Sequence, residues 1–357
     1  MTDESNTERY GAMEGVRGYA VILVFFVHFM LPVVRDVLHH PNITLANADT
    51  LLLKLLYLIG KSHYGVDIFF ILSGFLIVRL IKKETKFKYT SFILSRFFRI
   101  YPAFIVALIV ATYFFSFHFK WFDFDLKTFF MNTLLIHGVK EFGVKSYHVV
   151  TWSLFYEFIF YFTVPVLIFF ISGDSLKNKI LLLLALGFLL IPSSYIRFEA
   201  FFFGAMIASF NDNQLQNWAN NRNDFSLIAG YIILVGSQIF NINFSNWYIC
   251  FLILMSLLFV NICFGKGILN SFFNIRYLRQ LGNISYSFYL YHTIVIPIVF
   301  THIIKKYLID SVHPLITTIA AFLLTFFISG IVALLSYLIF EKPYFFYKQS
   351  RKRNSLN

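Results

Sequence analysis

The sequence predicts an all-α fold: a polytopic membrane helix bundle of about ten transmembrane helices with both termini cytoplasmic. Two observations carry that expectation. Of 357 residues, 58% are hydrophobic and only 13% charged, and the apolar runs approach the roughly 17–25 residues a spanning helix needs. The basic residues are also unevenly placed. Arg79, Lys82, Lys83, Lys86, Lys88, Arg96 and Arg99 crowd one short stretch between apolar runs, and Lys342, Lys348, Arg351, Lys352 and Arg353 crowd the C-terminal end. A formal net charge of +12 distributed in this way is a positive-inside signature, not a nucleic-acid groove. No nucleic-acid partner is expected; the lipid bilayer is the partner that composition requires.

Ten spans follow in order: 16–34, 64–80, 100–117, 150–171, 180–191, 198–210, 227–240, 247–264, 284–300 and 315–340. An even number puts both ends on one side, and the two basic clusters make that side the cytoplasm. The expected organisation is a polar N-terminal tail over 1–12, a membrane domain over 13–347 and a basic tail over 348–357. No cleavable signal peptide is expected, because the first apolar run is long enough to remain as a span. Two long outside loops are expected. In the first, Leu51 to Leu58 reads as an interfacial amphipathic helix. The second, 118–149, holds Trp121, Asp123, Asp125 and the apolar patch 129–136. Trp121 serves there either in an aromatic belt or as a sugar-stacking platform beside the site. Cys250 and Cys263 imply neither disulfide nor metal. Two glycosylation sequons, at 42–44 and 243–245, arise readily by chance, and no internal repeat is evident.

Polar residues inside the spans carry the chemistry, since ionisable groups there are costly and usually functional. Arg17 and His28 are eleven positions apart in the first span, so they share a helix face about 16 Å apart along the axis. His28 then lies near the membrane midplane. Glu157 enters from the opposite side to a similar depth, where a carboxylate can orient an imidazole. Burial disfavours a charged imidazole, and a general base must be neutral. Its alternative is a helix hydrogen bond to Ser153. Arg96 and Arg99, three apart on one face, suit phosphate recognition, or serve only as positive-inside charge. Ser285, Tyr289 and His292 share one face of the ninth span, for interhelical bonding or for chemistry.

Taken in order, Arg17 to His28, the run Gly65-Val66-Asp67 through Ile77, Arg96 to Pro102, Trp152 to Tyr161, Ser285 to His292, and Glu341-Lys342-Pro343 resemble the motifs of the acyltransferase-3 family of integral-membrane acyltransferases. The resemblance covers nearly the whole chain. It implies transfer of an acyl group, usually acetyl from acetyl-CoA, to a hydroxyl of a glycan, lipid or antibiotic-like acceptor. By resemblance, Arg17 and His28 match the family's catalytic signature, and Arg96 and Arg99 the motif associated with coenzyme A. The fused extracytoplasmic hydrolase-like domain of some members is not expected here.

The resulting expectation is an O-acetyltransferase of the bacterial inner (cytoplasmic) membrane. Acetyl-CoA is the donor substrate, held at Arg17, Arg96 and Arg99. His28, Glu157, Tyr289 and His292 form the catalytic group, with His28 as base and Tyr289 or His292 facing the oxyanion. Asp67, Trp152, Ser153 and Trp121 bind the acceptor, with a helix-capping role as the alternative for Asp67. The acceptor is a surface polysaccharide or other glycan, and no metal is required. The competing expectation is a proton-coupled transporter or flippase whose buried charges line a pathway; the lack of a repeated half speaks against it.

Overall fold

The computed structural model describes residues 2–39, 51–60, 63–83, 87–170, 175–190, 193–239, 246–309 and 311–347. Both sequons and the basic tail over 348–357 lie outside the described residues. Among the described residues there are helices and no strand. In chain order they are α1 (Thr2–Pro32), α2 (Leu51–Gly60), α3 (Gly65–Lys83), α4 (Tyr89–Thr112), α5 (Leu126–Thr133), α6 (Trp152–Phe170), α7 (Leu176–Leu190) and α8 (Glu199–Ser209). They continue as α9 (Asp212–Asn220), α10 (Asp224–Ile239), α11 (Trp247–Phe264), α12 (Ile268–Phe273), α13 (Arg276–Asn283), α14 (Ser285–Val299), the short α15 (Lys305–Tyr307) and α16 (Pro314–Ser336).

Each of the ten expected spans falls on a helix. Six helical stretches among the described residues are long and apolar enough to cross a membrane: Gly11–Val37, Tyr89–His118, Trp152–Phe170, Trp247–Phe264, Ser285–Tyr307 and Pro314–Tyr347. The remaining four, α3, α7, α8 and α10, fall short for physical reasons. Helix α3 carries Asp67, Arg79, Lys82 and Lys83. The others have 15, 11 and 16 residues, or about 17–24 Å at 1.5 Å per residue. The N-terminal stretch, expected as a tail, is helical from Thr2. Arg96 and Arg99, expected in a loop next to a span, lie within α4. The stretch Leu51–Gly60 is the helix α2.

Contacts divide the chain into two units. The first is Met1–Val24, Thr44–Phe87 and Phe160–Asn283; the second is Phe25–Ile43, Lys88–Ile159 and Ile284–Asn357. Small residues hold the first together. A Cβ at Gly204 of α8 would overlap the Ile71 carbonyl oxygen of α3, and one at Gly74 would overlap the Phe201 carbonyl. Such close backbone approach is how helices associate without a hydrophobic drive from water. Phe70 stacks on Phe201 at 4.3 Å beside that crossing. Gly15 of α1 meets the Phe273 backbone in the same manner.

The second unit packs on aromatic rings. Phe25 is fully buried and lies 5.8 Å from Phe288, 5.9 Å from Phe322 and 5.3 Å from Phe326 between ring centroids. Edge-on ring contacts at these separations supplement area burial. Four π-helical turns end its helices: Val33–Val37, Tyr113–His118, Phe300–Ile304 and Tyr337–Glu341. The first directly follows Pro32 and the third begins three residues after Pro297. A proline supplies no N–H to the helix ladder, which favours such slippage.

The α3–α8 crossing yields a test. Gly204→Ala forces its methyl into backbone and should lower stability by about 1–3 kcal/mol. Gly236→Ala in α10, where a Cβ meets nothing within 4 Å, should be neutral or gain up to about 1 kcal/mol from helix propensity. Thermal unfolding of the two detergent-purified variants compares them directly, and equal midpoints would contradict the packing account.

Candidate active site

The centre of the site lies in the second unit, where α1 and α14 each supply a histidine. His292 is fully buried. Its Nδ1 lies 3.1 Å from the Phe288 carbonyl. A carbonyl only accepts, so Nδ1 carries the proton and Nε2 the lone pair. The Nε2 atom lies 3.2 Å from Nδ1 of His28, which must therefore be the donor. This assigns His28 the tautomer with its lone pair on Nε2, the atom a general base uses. His292 thus holds the His28 ring through its Nδ1.

A loop buttresses the pair. The Tyr289 hydroxyl donates to the Val150 carbonyl at 2.7 Å. The Ser153 hydroxyl lies 2.7 Å from that of Tyr289 and 3.1 Å from the same Val150 carbonyl, which ties the two side chains to one acceptor. Three of the expected residues, Tyr289, Ser153 and the neighbouring Trp152, thus meet where α6 begins. Both nitrogens of His292 and the hydrogen of Tyr289 are engaged by protein, which suits them to positioning.

The same loop brings two histidines that sequence reasoning missed. Thr151 Oγ1 donates to the His148 carbonyl at 2.7 Å, so His137 Nε2 must donate to Thr151 Oγ1 at 2.9 Å. His148 is fully buried, and its ring approaches the polar Leu290 backbone, short of good hydrogen-bond geometry. It lies within electrostatic reach of both His28 and His137. Burial holds His137 and His148 down to about 4, so both rings are neutral at pH 7. No local pattern marks them: they sit in a segment whose fold depends on remote contacts. Its anchors are Tyr147, whose hydroxyl receives the Asp125 N–H at 2.8 Å, and Asn132, which donates to the Lys145 carbonyl at 2.8 Å. Asp125 caps α5 through Thr128.

His28 borders a cavity of 310 Å³ within this unit, walled by aromatic and polar groups including Trp121, Tyr147, Asp36, Arg35 and Thr293. Trp121 is stacked between Phe115 and Phe119, at 5.1 Å from each. Asp36 is clasped by Arg35 at 2.8 Å and Lys305 at 3.3 Å. Pro32 and Pro297 both line the cavity. Three of the four π-helical turns contribute to it, through Arg35 and Asp36, Phe115, and Phe300 and Thr301. Widened turns of this kind recur at functional sites because they re-aim side chains.

The expected basic residues also lie in this unit. Arg96 sits 5.4 Å over the Phe92 ring and Arg99 5.6 Å over Phe345. Glu157, with Arg99 and the buried Glu341, lies in electrostatic reach of Tyr286, whose hydroxyl donates to the Ile100 carbonyl at 2.8 Å. Glu341 accepts from Ser287 at 2.6 Å. The remaining expected residues belong to the first unit. Arg17 is half-buried on α1. Asp67, fully buried in the first turn of α3, accepts from the Tyr248 hydroxyl at 2.7 Å and faces Arg197 at 4.0 Å. No group of three or more metal-ligating side chains occurs among the described residues, and Cys250 and Cys263 are both free thiols.

Comparison with known proteins adds one finding. A family model described as an acyltransferase domain matches residues 10–335. No curated protein matches the chain, and neither does any solved structure.

The buried loop histidines make stability pH-dependent. Their values fall from the ordinary 6.5 to about 4 in the folded chain. The stabilisation is therefore complete above pH 6.5 and is lost as pH falls toward 4, by up to about 3 kcal/mol for each ring. His148→Phe should flatten this decline when unfolding midpoints at pH 7 and pH 5 are compared. A variant as acid-sensitive as the parent protein would contradict the assignment.

Proposed function

Because the chain belongs to the acyltransferase-3 family, we propose that this multi-pass membrane acyltransferase moves an acetyl group from acetyl-CoA to a hydroxyl of a glycan, with His28 as general base. The observation that carries this reading is the cavity on which His28 opens. Its base is held in the proton-accepting tautomer by His292, and its wall offers the exposed ring of Trp121 for stacking on a sugar.

In the proposed reaction, Nε2 of His28 takes the proton of the acceptor hydroxyl as its oxygen bonds to the thioester carbonyl carbon. The positive charge on His28 is shared through its Nδ1–H with His292, whose own Nδ1–H rests on the Phe288 carbonyl. Collapse of the tetrahedral intermediate breaks the carbon–sulfur bond. The departing thiolate takes the proton from His28, so the base is regenerated without net proton release. Arg96 and Arg99 are proposed to bind the coenzyme A phosphates, as guanidinium forks do. Glu157 is proposed to tune the Tyr286–Arg99 neighbourhood. The cytoplasmic membrane of a bacterium, with donor inside and acceptor arriving from outside, is the setting that fits the basic clusters.

The test measures alkali-labile acetyl ester on envelope glycans of cells expressing each variant at equal membrane abundance. Loss of the base should reduce ester about 10²–10⁴-fold in His28→Ala. His292→Ala keeps the base and loses its orientation, so its defect should be smaller. Ester that persists in His28→Ala rules out the base assignment.

A further inference from the structure

Five buried hydroxyls of the second unit, those of Thr112, Ser116, Ser285, Thr293 and Ser329, have no hydrogen-bond partner among the described residues, and Thr293 is the one of them on the cavity wall. It is 6% exposed, follows His292 directly, and lines the cavity with His28. A threonine inside a helix ordinarily turns its hydroxyl back onto the carbonyl four residues earlier. Thr318 and Thr325 do so, donating to the Pro314 and Ala321 carbonyls at 2.8 and 2.6 Å. The Thr293 hydroxyl has no hydrogen-bond partner among the described residues. An orphaned buried hydroxyl is destabilising, and valine would fill the same space without it. Pro297, four residues later, has no N–H to close the helix bond onto the Thr293 carbonyl. Thr293 thus brings an unpaired hydroxyl to the wall of a cavity whose other polar lining includes His28, Arg35, Asp36, Ser146 and Thr301.

We propose that Thr293 is a specificity-determining residue: its hydroxyl bonds a second hydroxyl of the acceptor, so that the enzyme selects polyhydroxy rings over isolated alcohols. This inference rests on the reading of the cavity as the acyl-acceptor site. A site built to pair with a substrate hydroxyl rejects analogues lacking it, because its own polar group is then left buried and unpaired.

The experiment uses the full-length protein in detergent with acetyl-CoA and two probes of matched ring size, methyl glucopyranoside and cyclohexanol, following coenzyme A release and ester formation. The parent enzyme should prefer the glucoside. Thr293→Val should lower the ratio of kcat/KM for glucoside over cyclohexanol at least tenfold, chiefly through KM, and Thr293→Ser should restore it. Unfolding midpoints are read in parallel, and Thr293→Val should melt at or above the parent. An unchanged ratio overturns the proposal, as does a midpoint several degrees lower, which would make the hydroxyl structural. Should the parent accept neither probe, the same variants are compared by envelope ester in cells, where equal ester in Thr293→Val overturns the proposal alone. Absence of ester with the parent itself overturns the acyl-transfer reading, and this inference with it.

Discussion

The bond from His292 Nδ1 to the Phe288 carbonyl is the constraint on which the site depends. It is a short contact within one helix turn, so it costs little conformational freedom, yet it decides the protonation pattern of two rings. With Nδ1 committed to a carbonyl, Nε2 of His292 can only accept, and His28 can only donate to it through Nδ1. The basic nitrogen of His28 is thereby assigned through a neutral ring. In an apolar medium this matters, because a neutral orienting group avoids the desolvation cost of a buried ion. The tie of Tyr289 to Val150, three residues earlier on α14, fixes the rotation of that helix.

The two units solve different problems. In the first, glycines let α3 and α8 meet backbone to backbone, and a buried carboxylate is answered by Tyr248 and Arg197. In the second, the aromatic core around Phe25 is dry and tightly packed, whereas its margin is polar and its helices end in widened turns. Prolines within α1 and α14 accompany two of those turns. Interrupting a helix ladder is tolerated only where the displaced backbone lines a cavity or finds other partners, and both prolines border the cavity with His28.

Helices were legible because hydropathy alone marks them; their status as spans was less so, since α7, α8 and α10 are short. His28 and His292 could be singled out because each is an ionisable group on an apolar helix. Their direct contact could not be read, as it joins positions 264 residues apart. Depth along the helix axis suggests Glu157 as an orienter; the fold makes visible a contact that depth alone could not reveal, the one from His292. His137, His148 and Thr293 left no signal. Two lie in a loop organised by Tyr147 and Asn132, and the third resembles any helical threonine until its hydroxyl is seen to lack the usual carbonyl. The sequence pattern could not distinguish belt from platform for Trp121; its place on the cavity wall is a tertiary fact.

Stability and function pull against each other on that wall. A buried neutral imidazole at His148 and a hydroxyl at Thr293 without a partner among the described residues are each less stabilising than an apolar residue of the same shape. Packing alone therefore gives no reason to retain them, although elsewhere in this unit the same residue types are satisfied: His292 by Phe288, Thr318 by Pro314, Ser287 by Glu341. Among the hydroxyls of this unit without a partner among the described residues, Thr293 is the one that lines the cavity with His28. Groups that a fold leaves unpaired beside a correctly poised base are those whose bonds are completed when a polar molecule binds. Their cost in the resting protein is then returned as selectivity for that molecule.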